Sequence, residues 1–483
     1  MRRTKQGWRL ARRTNLKYKN LTSLRLEGFD SLRLKKRGAY MMNSIYIDAV
    51  EKNRDLILSA NEYIWQNPET GYREVKASAY LENAFEELGY SLHRANDIPG
   101  FYTVLDTGRP GPEILIFGEM DALICPGHNA ANESGVVHCC GHNAQCAALL
   151  GIAAALREPG VTDRLCGKVR LCAVPAEELI ERDFRSELIR RGVITHMGGK
   201  PEFLHRGYFD GVDMAFMVHI TSDKRASITP GSVGFITQKI TYHGVSAHAG
   251  GAPWNGVNSL YAASLGLNAI NAVRETFREE DVIRVHPIIT NGGNAVNAIP
   301  DKVVIESSVR GASFDGIDNA NKKVNRALIG AALSLGANIE IENTPGYAPL
   351  LTADGMADIA EKSAEGLGFE FYRDESFCTA SSDLGDLSCL MPVMEPSIPG
   401  ASGLLHGTNF EISDKETACI GSAKWQMQML ALLLENNAAR ATEIINAFKP
   451  RFSSKEEYFE YLERFNCSGK RIKYTNNNVE VIL

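Results

Sequence analysis

Residues 112–121 read Pro112-Glu113-Ile114-Leu115-Ile116-Phe117-Gly118-Glu119-Met120-Asp121. A short, unbroken apolar run between a proline and a pair of acids predicts a strand buried on both faces. Residues 212–218 repeat the design, apolar apart from Asp213 and followed by His219. Residues 102–105 and 169–174 add two more β-type runs. Helical spacing at 43–65, 74–88 and 146–156 alternates with these strands. Alternation of this kind predicts an α/β sheet covered on both faces.

In open α/β sheets, ligands bind beyond the carboxyl ends of the strands. Glu119 and Asp121 follow one apolar run, Glu177 and Glu178 follow another after Pro175, and His219 follows a third. The turn Cys139-Cys140-Gly141-His142-Asn143 opens the helix predicted over 146–156. Cys140 and His142, one glycine apart, are a donor pair suited to a borderline metal such as zinc. Of the two adjacent thiols, Cys140 is the expected ligand and Cys139 packs. Glu177-Glu178 in a loop can divide the work: one carboxylate holds a metal while the other stays free as a general base. A lone Glu-Glu pair is more often a solvated turn, and its place after an apolar strand reverses that preference. His406, in Gly403-Leu404-Leu405-His406-Gly407, says little by itself. Cys125 and His128 read as loop residues.

From about residue 228 the pattern changes. Strands at 233–242, 282–290, 302–310 and 337–342, with helices at 259–277 and 320–335, give the β-α-β-β-α-β order of a ferredoxin-like unit. The expected organisation is a basic, disordered extension over 1–40, a catalytic part over 41–227, an inserted α+β unit over 228–343, a second catalytic part over 344–440, and a tail over 441–483. The inserted unit carries the glycine-rich loop Gly244-Val245-Ser246-Ala247-His248-Ala249-Gly250-Gly251, from which His248 can donate to a developing oxyanion. It also carries Asn297 and Arg310, readable as clamps for a substrate carboxylate.

Composition narrows the class. A 483-residue chain with 44% hydrophobic and 23% charged residues has ordinary globular proportions. A net charge of -6 gives no global reason to expect nucleic-acid binding. No apolar run reaches the length of a membrane span. Ten unevenly spaced cysteines are not a disulfide framework, so a reducing cytoplasm is expected.

The motifs Pro68-Glu69-Thr70-Gly71 with Glu74, Met120-Asp121-Ala122-Leu123, Cys140-Gly141-His142-Asn143, Pro175-Ala176-Glu177-Glu178, Val218-His219, His248 with Pro253, and 297–301 run in one order. In that order the chain resembles the M20 metallopeptidase-like amidohydrolases over about residues 43–437. The branch resembled holds aminoacylases, auxin-conjugate hydrolases and aminobenzoyl-glutamate-utilisation-like proteins. The resemblance implies a metal-dependent catalytic α/β domain with an inserted ferredoxin-like lid or dimerisation domain. It implies two divalent ions, zinc or manganese, on Cys140, His142, Glu178, His219 and His406. It gives Glu177 the role of base and acid, His248 that of stabilising the tetrahedral intermediate, and Asn297 and Arg310 contacts to substrate. It also implies a homodimer. The chain departs from the common pattern at Asn143, at Gln145 and across Ser381-Ser382-Asp383-Leu384-Gly385-Asp386, which leaves the substrate open.

The expected activity is hydrolysis of an amide bond in an N-acyl amino acid or related conjugate. A dipeptidase of the same family, a non-catalytic metal-binding scaffold on the same fold, and a cysteine amidase using Cys140 with His142 are the alternatives.

Overall fold

The computed structural model describes residues 44–475 and 478–482. The basic extension expected over 1–40 lies outside the described residues. Two helices, α1 (Ser44–Lys52) and α2 (Arg54–Gln66), stand where periodicity predicts one. The break falls at Asn53, whose side-chain amide donates to Ala49 O at 2.9 Å, a local bond that competes with helix continuation. After α3 (Val75–Glu87) come β1 (Phe101–Asp106) and β2 (Glu113–Glu119), then α4 (His142–Arg157), β3 (Lys168–Val174), α5 (Gly199–His205) and β4 (Met214–Phe216).

These strands share a six-stranded sheet. Its order is His93–Arg94, β1, β3, β2, β4 and Val393–Met394. β3, β2 and β4 run parallel, so their carboxyl ends lie along one rim. Every residue of β2 is buried, as expected of a strand covered on both faces. Helix α4 is buried from His142 to Leu156 and packs close to β2 at Gly118. A Cβ there would meet Leu149 Cδ2 at 3.1 Å and Cys146 Cα at 3.2 Å.

Only part of the run 212–218 is a strand. β4 ends at Phe216, and β5 (His219–Thr221) pairs in parallel with Ser397–Pro399 in a separate four-stranded sheet. His219 therefore opens a strand rather than closing one.

The second architecture begins at β6 (Gly234–His243) and continues through α6 (Ser259–Val273), the short strand Arg284–Val285, β7 (Ile288–Asn291), β8 (Lys302–Gly311), α7 (Phe314–Ser334) and β9 (Asn338–Pro345). Its sheet is antiparallel, with β8 and β9 flanking β6 and with β7 on the far side of β8. The expected α/β sheet and the separate ferredoxin-like sheet are thus both present. β8 alternates buried and half-buried residues, turning Val303, Ile305 and Val309 inward. This is the period-2 pattern of a sheet with one packed face. Pro287 lies in the gap of the strand predicted over 282–290, because it has no N–H to give the ladder. Asn258 and Ser313 cap α6 and α7 with their side-chain oxygens.

The tail is folded. Helix α8 (Lys455–Glu463) places Tyr458 so that its hydroxyl donates to buried Asp386. Beyond it, Asn343 and Cys467 exchange backbone bonds of 2.7 and 3.2 Å. Phe314, Tyr461 and Phe465 cluster below these bonds. The tail thereby covers the outer edge of β9, an exposed row of backbone groups that would otherwise invite pairing. Among the described residues no helix is long and apolar enough to cross a membrane.

Candidate metal centre

Gly141 caps α4 with φ +86°, a left-handed conformation that favours glycine. A Cβ there would also meet Ile220 Cβ at 3.1 Å. The turn presents Cys140 and His142 to the rim. His142 Nδ1–H donates to the Asp121 carbonyl at 2.9 Å and lies 3.1 Å from Asp121 Oδ1. That assignment leaves Nε2 as the lone-pair nitrogen. His219 Nδ1–H donates to Ile220 O at 2.8 Å, and its Nε2 lies 3.5 Å from Cys140 Sγ. His406 Nε2 lies 3.4 Å from the same sulfur and 2.9 Å from Glu178 Oε1. Its backbone has φ +61° and is held by an N–H to Cys139 O bond of 2.8 Å.

The donor atoms form two groups that share one thiol: Cys140, His142 and His219, and Cys140, Glu178 and His406. Within each group all donor atoms lie within 4.8 Å of one another. The five residues expected as ligands are brought together from α4, the loop after β3, β5 and the 403–407 loop. His142 Nε2 and Glu178 Oε1 are buried and form no well-aligned hydrogen bond, although Glu119 Oε2 lies 3.2 Å from the first and His406 Nε2 2.9 Å from the second. Orphaned buried polar atoms of this kind call for an ion or water, and a thiol, imidazoles and carboxylate are a donor set that zinc-like ions accept. The residues fit two metal ions.

Glu177 is in neither of these groups; its carboxylate falls in a third, with Glu119 and His142. Ala176, with φ +59°, turns the chain so that Glu177 and Glu178 diverge. The Ala176 N–H donates to Glu74 Oε1 at 2.8 Å, and the Glu178 N–H donates to Asp121 Oδ2 at 2.8 Å. The Tyr347 hydroxyl donates to Glu177 O. Burial, with Glu119 and Glu178 nearby, pushes the Glu177 carboxyl well above the usual range. Burial and the carboxylates of Glu178 and Glu177 push the Cys140 thiol up as well. A thiol so placed does not ionise by itself, which argues against its use as a metal-free nucleophile.

The other predicted residues divide. Arg310 on β8 donates from Nη1 to Ser381 Oγ at 2.9 Å. Its guanidinium lies 4.9 Å over the Phe235 ring. Burial lowers its pKa, while Tyr347 and Glu178 act on it in the opposite direction. His248 and Asn297 are exposed and adjacent to each other, with the Ala249 N–H donating to Asn297 O at 2.9 Å. Among the described residues no hydrogen bond or ion pair joins either to the five-ligand group. His248 Nδ1 accepts from the Gly251 N–H at 2.8 Å. His128 accepts at Nδ1 from the Ala130 N–H of its own loop at 3.0 Å and ties that loop to Phe410 O, 2.7 Å from Nε2.

The sequence reading missed Lys200, Asp383 and Arg185, all fully buried. Arg185 donates to the carbonyls of Met197, at 2.6 Å, and of Ala176 and Glu178, bracing the Glu177 loop. Lysine and arginine in polar helices normally face water, so no local signal distinguished them.

The family model described as Peptidase family M20/M25/M40 matches residues 115–426. The Xaa-Arg dipeptidase of Mus musculus is 26% identical over 421 residues, covering 83% of this chain and 88% of that protein. The N-acetyl-L-cysteine deacetylase of Bacillus subtilis is 28% identical over 357 residues, covering 70% of this chain and 77% of that protein. Among solved structures, a Bacillus subtilis dinuclear metal-binding peptidase from the M20 family superposes with a TM-score of 0.62 at 19% identity. It covers 80% of this chain and 99% of that one, a likeness of fold.

Proposed function

Because the chain belongs to peptidase family M20/M25/M40, whose members are hydrolases of amide and peptide bonds, we propose that it cleaves the amide bond of an N-acyl amino acid or a short peptide. The site would hold two divalent ions, zinc or manganese, on Cys140, His142, Glu178, His219 and His406. The observation that carries the reading is the thiol shared between two donor groups, with Glu177 beside them in a third group that lacks that thiol. When bound, the ions supply Lewis acidity toward the scissile carbonyl and the attacking water. Glu177 takes the proton from that water and delivers it to the leaving nitrogen. Arg310 meets the carboxylate of the substrate's amino-acid part.

The relatives include a dipeptidase and a deacetylase, so the test is a hydrolysis screen of N-acyl amino acids and dipeptides. Protein stripped by chelator should be inactive, and zinc or manganese should restore turnover. Turnover that survives complete metal removal would sink the reading.

His248 and Asn297 are assigned to substrate through a second copy of the chain. They lie on a unit whose surface exposes Trp254 (77%), Tyr261, Leu265, Ile288 and Ile289. All four residues of β7 are exposed, and among the described residues β7 pairs only with β8. An open strand edge beside exposed apolar residues is a surface a partner covers. Ile289→Lys should convert a dimer to a monomer in sedimentation velocity and lower kcat about 100-fold, the low end of what a general catalytic group contributes. A wild-type monomer would remove His248 from the site.

A further inference from the structure

An ammonium group withdrawn from water is costly unless paired charges replace the water. Lys200 is wholly buried, and its ammonium is bound by Glu119 Oε1 and Asp383 Oδ1. Its backbone N–H donates to Asp383 Oδ2 at 2.9 Å. The approach is built into the chain. A Cβ on Gly199 would lie 1.6 Å from Pro175 O, so only glycine lets α5 start this close to the loop that carries Glu177.

Glu119 is the residue this arrangement acts on. Its Oε2 lies 3.2 Å from His142 Nε2. Glu119, His142 and Glu177 form a third group of donor atoms within 4.8 Å of one another. By distance alone, Glu119 is as able to ligate an ion as Glu178. Yet both of its oxygens are taken. Oε1 faces Lys200, and Oε2 accepts from Gln145 Nε2 at 2.9 Å.

We propose that Lys200 is a positioning residue that withholds Glu119 from the ion held through His142. Gln145 assists by occupying Oε2, the oxygen that lies 3.2 Å from His142 Nε2. The proposal rests on the two-metal reading above. Its physical consequence is a site with one anionic ligand fewer than the geometry offers. An ion with fewer anionic ligands keeps more of its charge for the substrate carbonyl. The neutral amide of Gln145 fits this role, because it donates to Glu119 and adds no charge.

The test is cobalt(II) titration of the chelator-stripped full chain, followed by near-ultraviolet and visible absorption. Wild-type protein should show thiolate-to-cobalt charge transfer from Cys140 together with visible d–d bands. In Lys200→Met, Glu119 should enter the ligand set. The d–d bands should weaken as the ligand number rises, and cobalt affinity should tighten about tenfold, the scale on which residues behind the ligands tune metal sites. The double variant Lys200→Met/Glu119→Gln should return to the wild-type spectrum and affinity. If Lys200→Met does not fold, Gln145→Leu, which removes the donor to Oε2 and a 3.4 Å acceptor for the Glu119 N–H, should move the spectrum the same way. Unchanged bands in the variant that folds would overturn the proposal. So would a change that persists in the double variant, since that marks a merely structural role. A wild-type protein without the thiolate band would overturn the two-metal reading itself, and the proposal with it.

Discussion

Glu177→Gln should lower kcat by about 10,000-fold, the upper end for a general acid–base group, while the protein keeps both metal ions. Glutamine preserves shape and the backbone contacts that hold this loop. These are the Ala176 N–H to Glu74 bond, the Glu178 N–H to Asp121 bond and the Tyr347 hydroxyl on Glu177 O. What it removes is an oxygen that can accept a proton. Glu178, one residue on, faces His406 at 2.9 Å and belongs to the donor group. Glu178→Gln should therefore cost metal as well as rate. Metal analysis beside steady-state kinetics separates the two carboxylates. A Glu177→Gln enzyme with near wild-type kcat would refute the assignment.

The second large effect is expected at Cys140. Its sulfur is the atom common to both donor groups, 3.5 Å from His219 Nε2 and 3.4 Å from His406 Nε2. Cys140→Ala should weaken binding of both ions by about 100-fold or more, beyond the range for residues that only support ligands, and turnover should fall below detection. Equilibrium dialysis with zinc measures it. Loss of one ion only would show that the thiol is not shared. Cys139→Ala is the control. Its thiol is buried in the core, so the change should cost packing stability of about 1 kcal/mol and leave metal content intact.

Much of this site was legible from short stretches. The Cys140-Gly141-His142 turn, the Glu177-Glu178 pair after an apolar strand, and the histidines at 219 and 406 carried the ligand set through a family resemblance, and the fold brings all five together. Arg310 is half-buried on β8 against Ser381 and Phe235. His248 and Asn297 did not come with them. The chain places that pair on the antiparallel unit, where one copy gives them no ligand-site contact. Lys200 left no mark in the sequence at all. Its importance comes from Glu119 and Asp383, which lie 81 and 183 positions away.

By itself the sequence determined the local elements and their order, because the alternation of apolar and polar residues is written over a few neighbours at a time. It predicted the strands buried on both faces, the ferredoxin-like order of the inserted unit, and the cysteine-histidine turn at the mouth of α4. Tertiary structure alone decided that His219 starts a strand in a second sheet, and that a tail without evident purpose seals the edge of β9. It also decided that Glu119 is tied to a buried lysine while Glu177 stays free. The physical reason is range. Hydrophobic burial follows local pattern, whereas the pairing of a buried charge depends on which distant element the fold sets within about 3 Å of it.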